Sequence, residues 1–114
     1  MHFMGRSINA PLPPDVGQRL VALGQRIRDA RLHRKLRQID LAQGAGLSRS
    51  TVEAIERGSP ETAIGAYARA LWVMGLDREL EVVADPAIDR EGAALEYTPG
   101  ERRVRVRRGT DNDF

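Results

Sequence analysis

Between residues 16 and 30 the apolar side chains Val16, Leu20, Leu23, Ile27 and Ala30 recur at steps of four, three, four and three. That spacing gathers them on one face of an amphipathic helix. Asp15 stands just ahead as an N-cap candidate, with Gln18 at the capping-box position, so the pattern predicts a helix over 15–34. Residues 37–58 read RQIDLAQGAGLSRSTVEAIERG and hold two shorter helical patterns with a break between them. Leu41, Ala42 and Ala45 form the inner face of the first, over 38–45, and Gly46 supplies the left-handed position that ends it. Leu47 then turns inward and Ser48 caps the second, in which Val52 and Ile55 face the core while Arg49, Ser50, Glu53 and Arg57 face out. Gly58 ends that helix. Ser59, Pro60 and Thr62 all signal a further helix start, and Ile64, Tyr67, Leu71 and Met74 supply its predicted inner face up to Gly75.

After Gly75 the period drops to two. Leu80, Val82 and Ala84 alternate with Glu81 and Val83 as far as Asp85-Pro86, which predicts one short strand. A single strand cannot satisfy its own edge groups, so its expected partner is the same strand of a second subunit. Residues 1–14, with Pro11, Pro13 and Pro14 and no apolar periodicity, are expected to be a flexible arm. The folded domain is expected over 15–85, and 86–114 as a flexible acidic and basic tail, loosely structured over 86–101.

Composition narrows the functional classes. The 114 residues include no cysteine and only two histidines, His2 and His33, which removes disulfide frameworks and thiolate chemistry and leaves little for a metal site. No paired carboxylates, nucleophile–base set or glycine-rich phosphate loop appears, so neither an enzyme nor a bound cofactor is expected. No apolar run approaches the roughly 20 residues of a bilayer span, and the prolines follow an N-terminus without an apolar signal core; the expected location is the cytoplasm, with no membrane contact. Charge is unevenly spread. Arg19, Arg26, Arg28, Arg31, Arg34, Lys35 and Arg37 stand against Asp29 alone, whereas Asp77, Glu79, Glu81, Asp85, Asp89, Glu91 and Glu96 stand against Arg78 and Arg90. Five arginines then crowd Arg102–Arg108. Two different contact surfaces follow from such blocks.

Two short helices joined by a tight glycine turn, the second exposing small polar and basic side chains near its start, form a helix-turn-helix. Its physics suits duplex DNA, because the major groove admits one α-helix and its base edges are met by the first turns, where Arg49, Ser50 and Thr51 fall. The helix starts at Gln38 and Ser48 direct backbone N–H groups toward phosphates. Arg37 and Arg57 are further phosphate candidates. Glu53 either accepts from a cytosine N4 amine or repels phosphate and so tunes specificity.

The string Leu36-x-Gln38-x-x-Leu41-Ala42-x-x-Ala45-Gly46-Leu47-Ser48-x-x-Thr51-Val52-x-x-Ile55-Glu56-x-Gly58 resembles the Cro/repressor-type (xenobiotic response element, XRE) helix-turn-helix family. The continuation through Pro60, Ala66-Tyr67, Gly75-Leu76-Asp77 and a short strand to Asp85-Pro86 resembles, more narrowly, HipB-type antitoxins encoded beside HipA-type kinase toxins. The resemblance implies a mainly α, five-helix lambda-repressor-like domain with one short C-terminal strand shared across a dimer. It further implies repression of the chain's own operon from a palindromic operator, with a HipA-like kinase toxin as partner. It puts Gln38 at a backbone- and base-contacting position, Arg49, Ser50 and Glu53 on the base-reading face, and Arg31 and Glu56 where a structural ion pair ties the first helix to the recognition helix. Two positions depart from the family pattern: Arg37 replaces a small capping residue, and Ile39 replaces a polar one.

Other readings stay open at the level of sequence. A stand-alone phage-type or metabolic repressor would share every feature above, and a protein-interaction module would keep the fold without binding DNA. Trp72 lies beside the Tyr67–Leu71 stripe as core edge or dimer contact. The RRVRVRR stretch reads as a phosphate-binding arm, a strand donated to a partner, or a solubilising end.

Overall fold

The computed structural model describes residues 10–96. Four α-helices come first: α1 (Pro14–His33), α2 (Gln38–Ala45), α3 (Arg49–Glu56) and α4 (Ile64–Val73). A 3-10 helix over Asp77–Val82 and a short α5 (Arg90–Glu96) follow. The chain divides into two units after Arg78, and α1–α4 belong to the first.

Helix α1 starts one residue earlier than expected. Pro13 rather than Asp15 is its N-cap, and Pro14 occupies the first helical position, where a missing N–H leaves nothing unpaired and the fixed φ suits the helix. Asp15 instead accepts a hydrogen bond from Arg19 one turn on, at 3.2 Å. Along the predicted stripe Ile27 is buried, Leu20, Leu23 and Ala30 are half-buried, and Val16 is exposed. The stripe is therefore filled only where α1 lies on α3.

The core of this unit joins Ile27 of α1, Leu41 and Ala42 of α2, Val52 and Ile55 of α3, and Tyr67, Ala70, Leu71 and Met74 at α4 and its C-cap. Each short helix contributes two or three buried side chains, so none would persist alone. Helix α2 packs on α3 and α4, and α3 is held between α1 and α4. Gly46 ends α2 at φ 70°, with the Leu47 N–H reaching back to the Ala42 carbonyl at 2.9 Å, the six-to-one bond of a Schellman turn. Gly58 closes α3 in the same left-handed region at φ 75°.

Three expectations need correction. Ile64 is exposed rather than in the core: α4 begins there, behind Ala63 as N-cap, and its inward face runs through Tyr67, Ala70 and Leu71. Of the three start signals, Ser59 serves elsewhere, its hydroxyl accepting the Glu61 N–H at 3.3 Å and its carbonyl the Tyr67 hydroxyl at 2.7 Å. The strand through Leu80, Val82 and Ala84 is not formed, and the described residues contain no strand. Leu80 and Val82 lie in the 3-10 helix, whose turn continues as Val83 N–H donates to the Leu80 carbonyl at 3.2 Å, while Ala84 sits at φ 60°, incompatible with an extended chain. Local i to i+3 bonds thus satisfy groups that an unpartnered strand would leave open.

The second unit holds α5 in a stretch expected to be loosely structured. Asp89 accepts the Gly92 N–H at 3.0 Å ahead of it, and α5 buries none of its residues. Residues 1–9 of the predicted arm and the basic Arg102–Arg108 stretch lie outside the described residues.

Candidate nucleic-acid interface

The interface rests on a buried ion pair. Arg31, near the end of α1, donates through Nε to Glu56 Oε2 at 2.6 Å and through Nη2 to Oε1 at 3.0 Å, and its Nη1 reaches the Leu36 carbonyl at 2.9 Å. Both residues are almost out of solvent, at 6% and 8% exposure. A two-pronged contact of this kind fixes direction as well as distance, so the last turn of α3 is pinned to α1 and to the segment entering α2. Gln38, the first residue of α2, joins the same group by donating from Nε2 to Glu56 Oε1 at 3.1 Å. One carboxylate therefore sets the positions of α1, α2 and α3 together.

Arg37 occupies the N-cap of α2 without a capping hydroxyl. Asp40 compensates: its carboxylate accepts the Arg37 backbone N–H at 2.8 Å and the guanidinium through Nε at 3.0 Å and Nη2 at 2.9 Å. These hydrogen bonds to Arg37 pull the Asp40 carboxyl down from an ordinary 3.8 to about 2, and the same contact raises the pKa of Arg37. Nothing in the sequence reading singled out Asp40, although an acidic residue at the third position of a helix is the signal for it.

Ser48 caps α3, its Oγ accepting the Thr51 N–H at 3.1 Å and lying 2.8 Å from the Thr51 hydroxyl and 3.1 Å from that of Ser50. Arg49 is exposed and reaches one turn along to Glu53, with Nη2 3.4 Å from Oε2. Arg37, Gln38, Ile39 and Arg49 line one shallow cleft, so the first turns of α2 and α3 stand side by side. Ile39, the apolar departure, thereby gains a position in the wall of a basic cleft. Arg57 does not join this group, since it is the C-cap at the opposite end of α3, about 12 Å of helix away from Arg49.

Two helix N-termini with free N–H groups, two guanidinium groups and a row of hydroxyls on one surface make a site for a phosphate backbone, with the first turn of α3 available to base edges. Residues 22–82, more than half of the chain, match the helix-turn-helix domain family. The chain belongs to that family. No curated protein and no solved structure matches it.

The helix-turn-helix domain marks the chain as a DNA-binding regulator, and α2, the Gly46 turn and α3 are its motif. Among the described residues no helix is long and apolar enough to cross a membrane. Two supports of the motif went unread in the sequence. Arg69 of α4 donates to the Ala45 carbonyl at 3.2 Å, placing a cation at the negative end of α2. Gly24 lets α1 approach the end of α3, since a Cβ there would lie 2.6 Å from the Gly58 nitrogen and from the Ile55 carbonyl oxygen.

Proposed function

We propose that this protein is a transcriptional repressor that binds a palindromic operator as a homodimer, reading base edges with Arg49, Ser50 and Glu53 and holding the backbone through Arg37, Gln38, Ser48 and Thr51. The observation that carries the reading is the contrast between the two faces of α3. Its inner face is fixed by Val52, Ile55 and the Arg31–Glu56 pair, while the side chains of Arg49, Ser50 and Glu53 bond only within the 48–53 segment. A rigid helix with unspent donors is what groove recognition uses. Arg49 can leave Glu53 for the O6 and N7 of guanine, while Glu53 takes a cytosine amine.

The test is selection of bound duplexes from a random pool, followed by titration of wild type and Arg49→Ala on the selected site and on random DNA. The variant should lose ~1–3 kcal/mol on the selected site alone. Equal loss on both would reassign Arg49 to the phosphates, and absence of any selected sequence would favour the protein-interaction reading.

The narrower reading, an antitoxin that autoregulates its operon with a HipA-like kinase toxin, is supported by the resemblance over Pro60–Asp77, the strand that would complete it not being formed. Co-purification of the full chain with the product of the adjacent gene tests it; a repressor that binds its operator and captures no such kinase is the stand-alone form.

A further inference from the structure

Helix α4 presents an uncharged outer face that the helix-turn-helix does not use. Tyr67, Ala70 and Leu71 point into the core, whereas Ile64 is 77% exposed and Trp72 is 59% exposed. Ile64, Ala68 and Trp72 follow one another at intervals of four, within roughly 80° of arc at 3.6 residues per turn, and Gly65 beside them has open space where a side chain would stand. The charged residue of α4, Arg69, is turned to the Ala45 carbonyl. Such a face offers nothing to a phosphate backbone or a charged peptide. Its complement is another uncharged surface.

The stripe is also symmetric about its middle. Ala68 is small and central, with a large apolar side chain one helical turn to either side. Two copies laid antiparallel across a two-fold at Ala68 would seat each Ile64 against the other copy's Trp72, the reciprocal exchange an isologous contact requires, with Gly65 and Ala68 admitting a close helix approach. We propose that a second copy of this chain docks on the Ile64–Ala68–Trp72 face of α4, and that this contact is the two-fold of the repressor. The proposal rests on the dimeric repressor reading above.

Area sets the strength of the contact. The exposed parts of Trp72 and Ile64 offer roughly 300 Å² per copy, so two copies bury about a third to a half of the ~1,200–2,000 Å² of a stable interface. The pair is therefore weak in free solution and closes when two half-sites hold the copies together, where linkage raises their effective concentration. Neither α2 nor α3 contributes to this face, so docking leaves the DNA surface free.

The sequence supplies its own probe, because Trp72 is the sole tryptophan and cysteine is absent. Emission of the full chain should shift to the blue between about 1 μM and about 1 mM protein, and Ile64→Lys should abolish that shift without changing the helical circular dichroism. Under mild oxidation Ala68→Cys should cross-link at least about tenfold faster than a control thiol at exposed Gln25 of α1. If sedimentation shows a dimer while Trp72 emission stays constant and the Ala68→Cys rate equals the control, the two-fold lies elsewhere and the dimer stands. If the chain stays monomeric and fills two half-sites without cooperativity, the face and the dimeric part of the repressor reading both fail, whereas base reading is judged separately by Arg49→Ala.

Discussion

Gly24 and Gly58 meet backbone to backbone: a methyl group on Gly24 would stand 2.6 Å from the Gly58 nitrogen. The neighbours there are main-chain atoms of Ile55, Glu56 and Gly58, which cannot rotate away as a side chain would. Gly24→Ala should therefore push α1 off α3 and destabilise the domain by ~1–3 kcal/mol, outweighing a propensity gain below ~1 kcal/mol. Gly17 lies in the same helix with nothing near its absent Cβ, and Gly17→Ala should raise stability by a few tenths of a kcal/mol up to ~1 kcal/mol. Thermal unfolding of the two variants should move in opposite directions; a shared direction would mean that the close approach does not hold the helices.

Glu56→Ala should cost ~3–5 kcal/mol, because it strands the Arg31 guanidinium in a site from which water is nearly excluded. For a domain of this size that is a large share of a total of ~5–15 kcal/mol. Denaturant titration reads the loss. An unchanged midpoint would show that solvent reaches Arg31 freely.

Asp40→Asn should have opposite effects on folding and on binding. The α2 cap weakens as the charged acceptor for the Arg37 N–H is lost, so the melting temperature falls. Arg37, released from a neutralising carboxylate, meets its phosphate with its full charge. Affinity for random duplex should rise and the slope of log affinity against log salt should steepen by about one. A slope equal to wild type would place Arg37 outside the DNA surface.

The same carboxylate gives an acid signature. Its folded pKa of about 2 lies below the ordinary 3.8, so the folded state binds fewer protons than the unfolded one between those values. The stabilisation Asp40 supplies is complete above the unfolded pKa and fades as pH falls through the folded one. Asp40→Asn should lack this component of acid unfolding, and a side-chain carboxyl titration followed by NMR should place the midpoint near 2 in the wild type. A midpoint at the ordinary value would break the Arg37–Asp40 assignment.

The motif was legible because its signals are local. Gly46 and Ser48 mark a turn and a cap two positions apart, and both act there through bonds spanning only a few residues. Arg31 and Glu56 were legible only through family resemblance, since twenty-five positions separate them. Alternation misled at Leu80–Ala84, because period two states where side chains would point if the chain were extended and is silent on whether a neighbour exists to extend against. Ile64 misled for a related reason: a step of three or four holds for residues inside a helix, and Ile64 is the end of one. Gly24 is silent in the sequence because propensity is a property of the single helix, whereas the need for it arises from a second backbone.

The self-contained bonding of Ser48–Glu53 has a consequence for how such a protein can change. Arg49 is tied to Glu53 and Ser50 to Ser48, while the connection to the rest of the molecule runs through Val52, Ile55 and Glu56. Recoding the operator thus requires only new side chains at 49, 50 and 53, and those exchanges leave the packing of α3 as it was. Duplicated copies of the gene can drift to separate targets while keeping one scaffold, and a designer can transplant a foreign recognition triplet onto α3 with the expectation that the scaffold will not register the change.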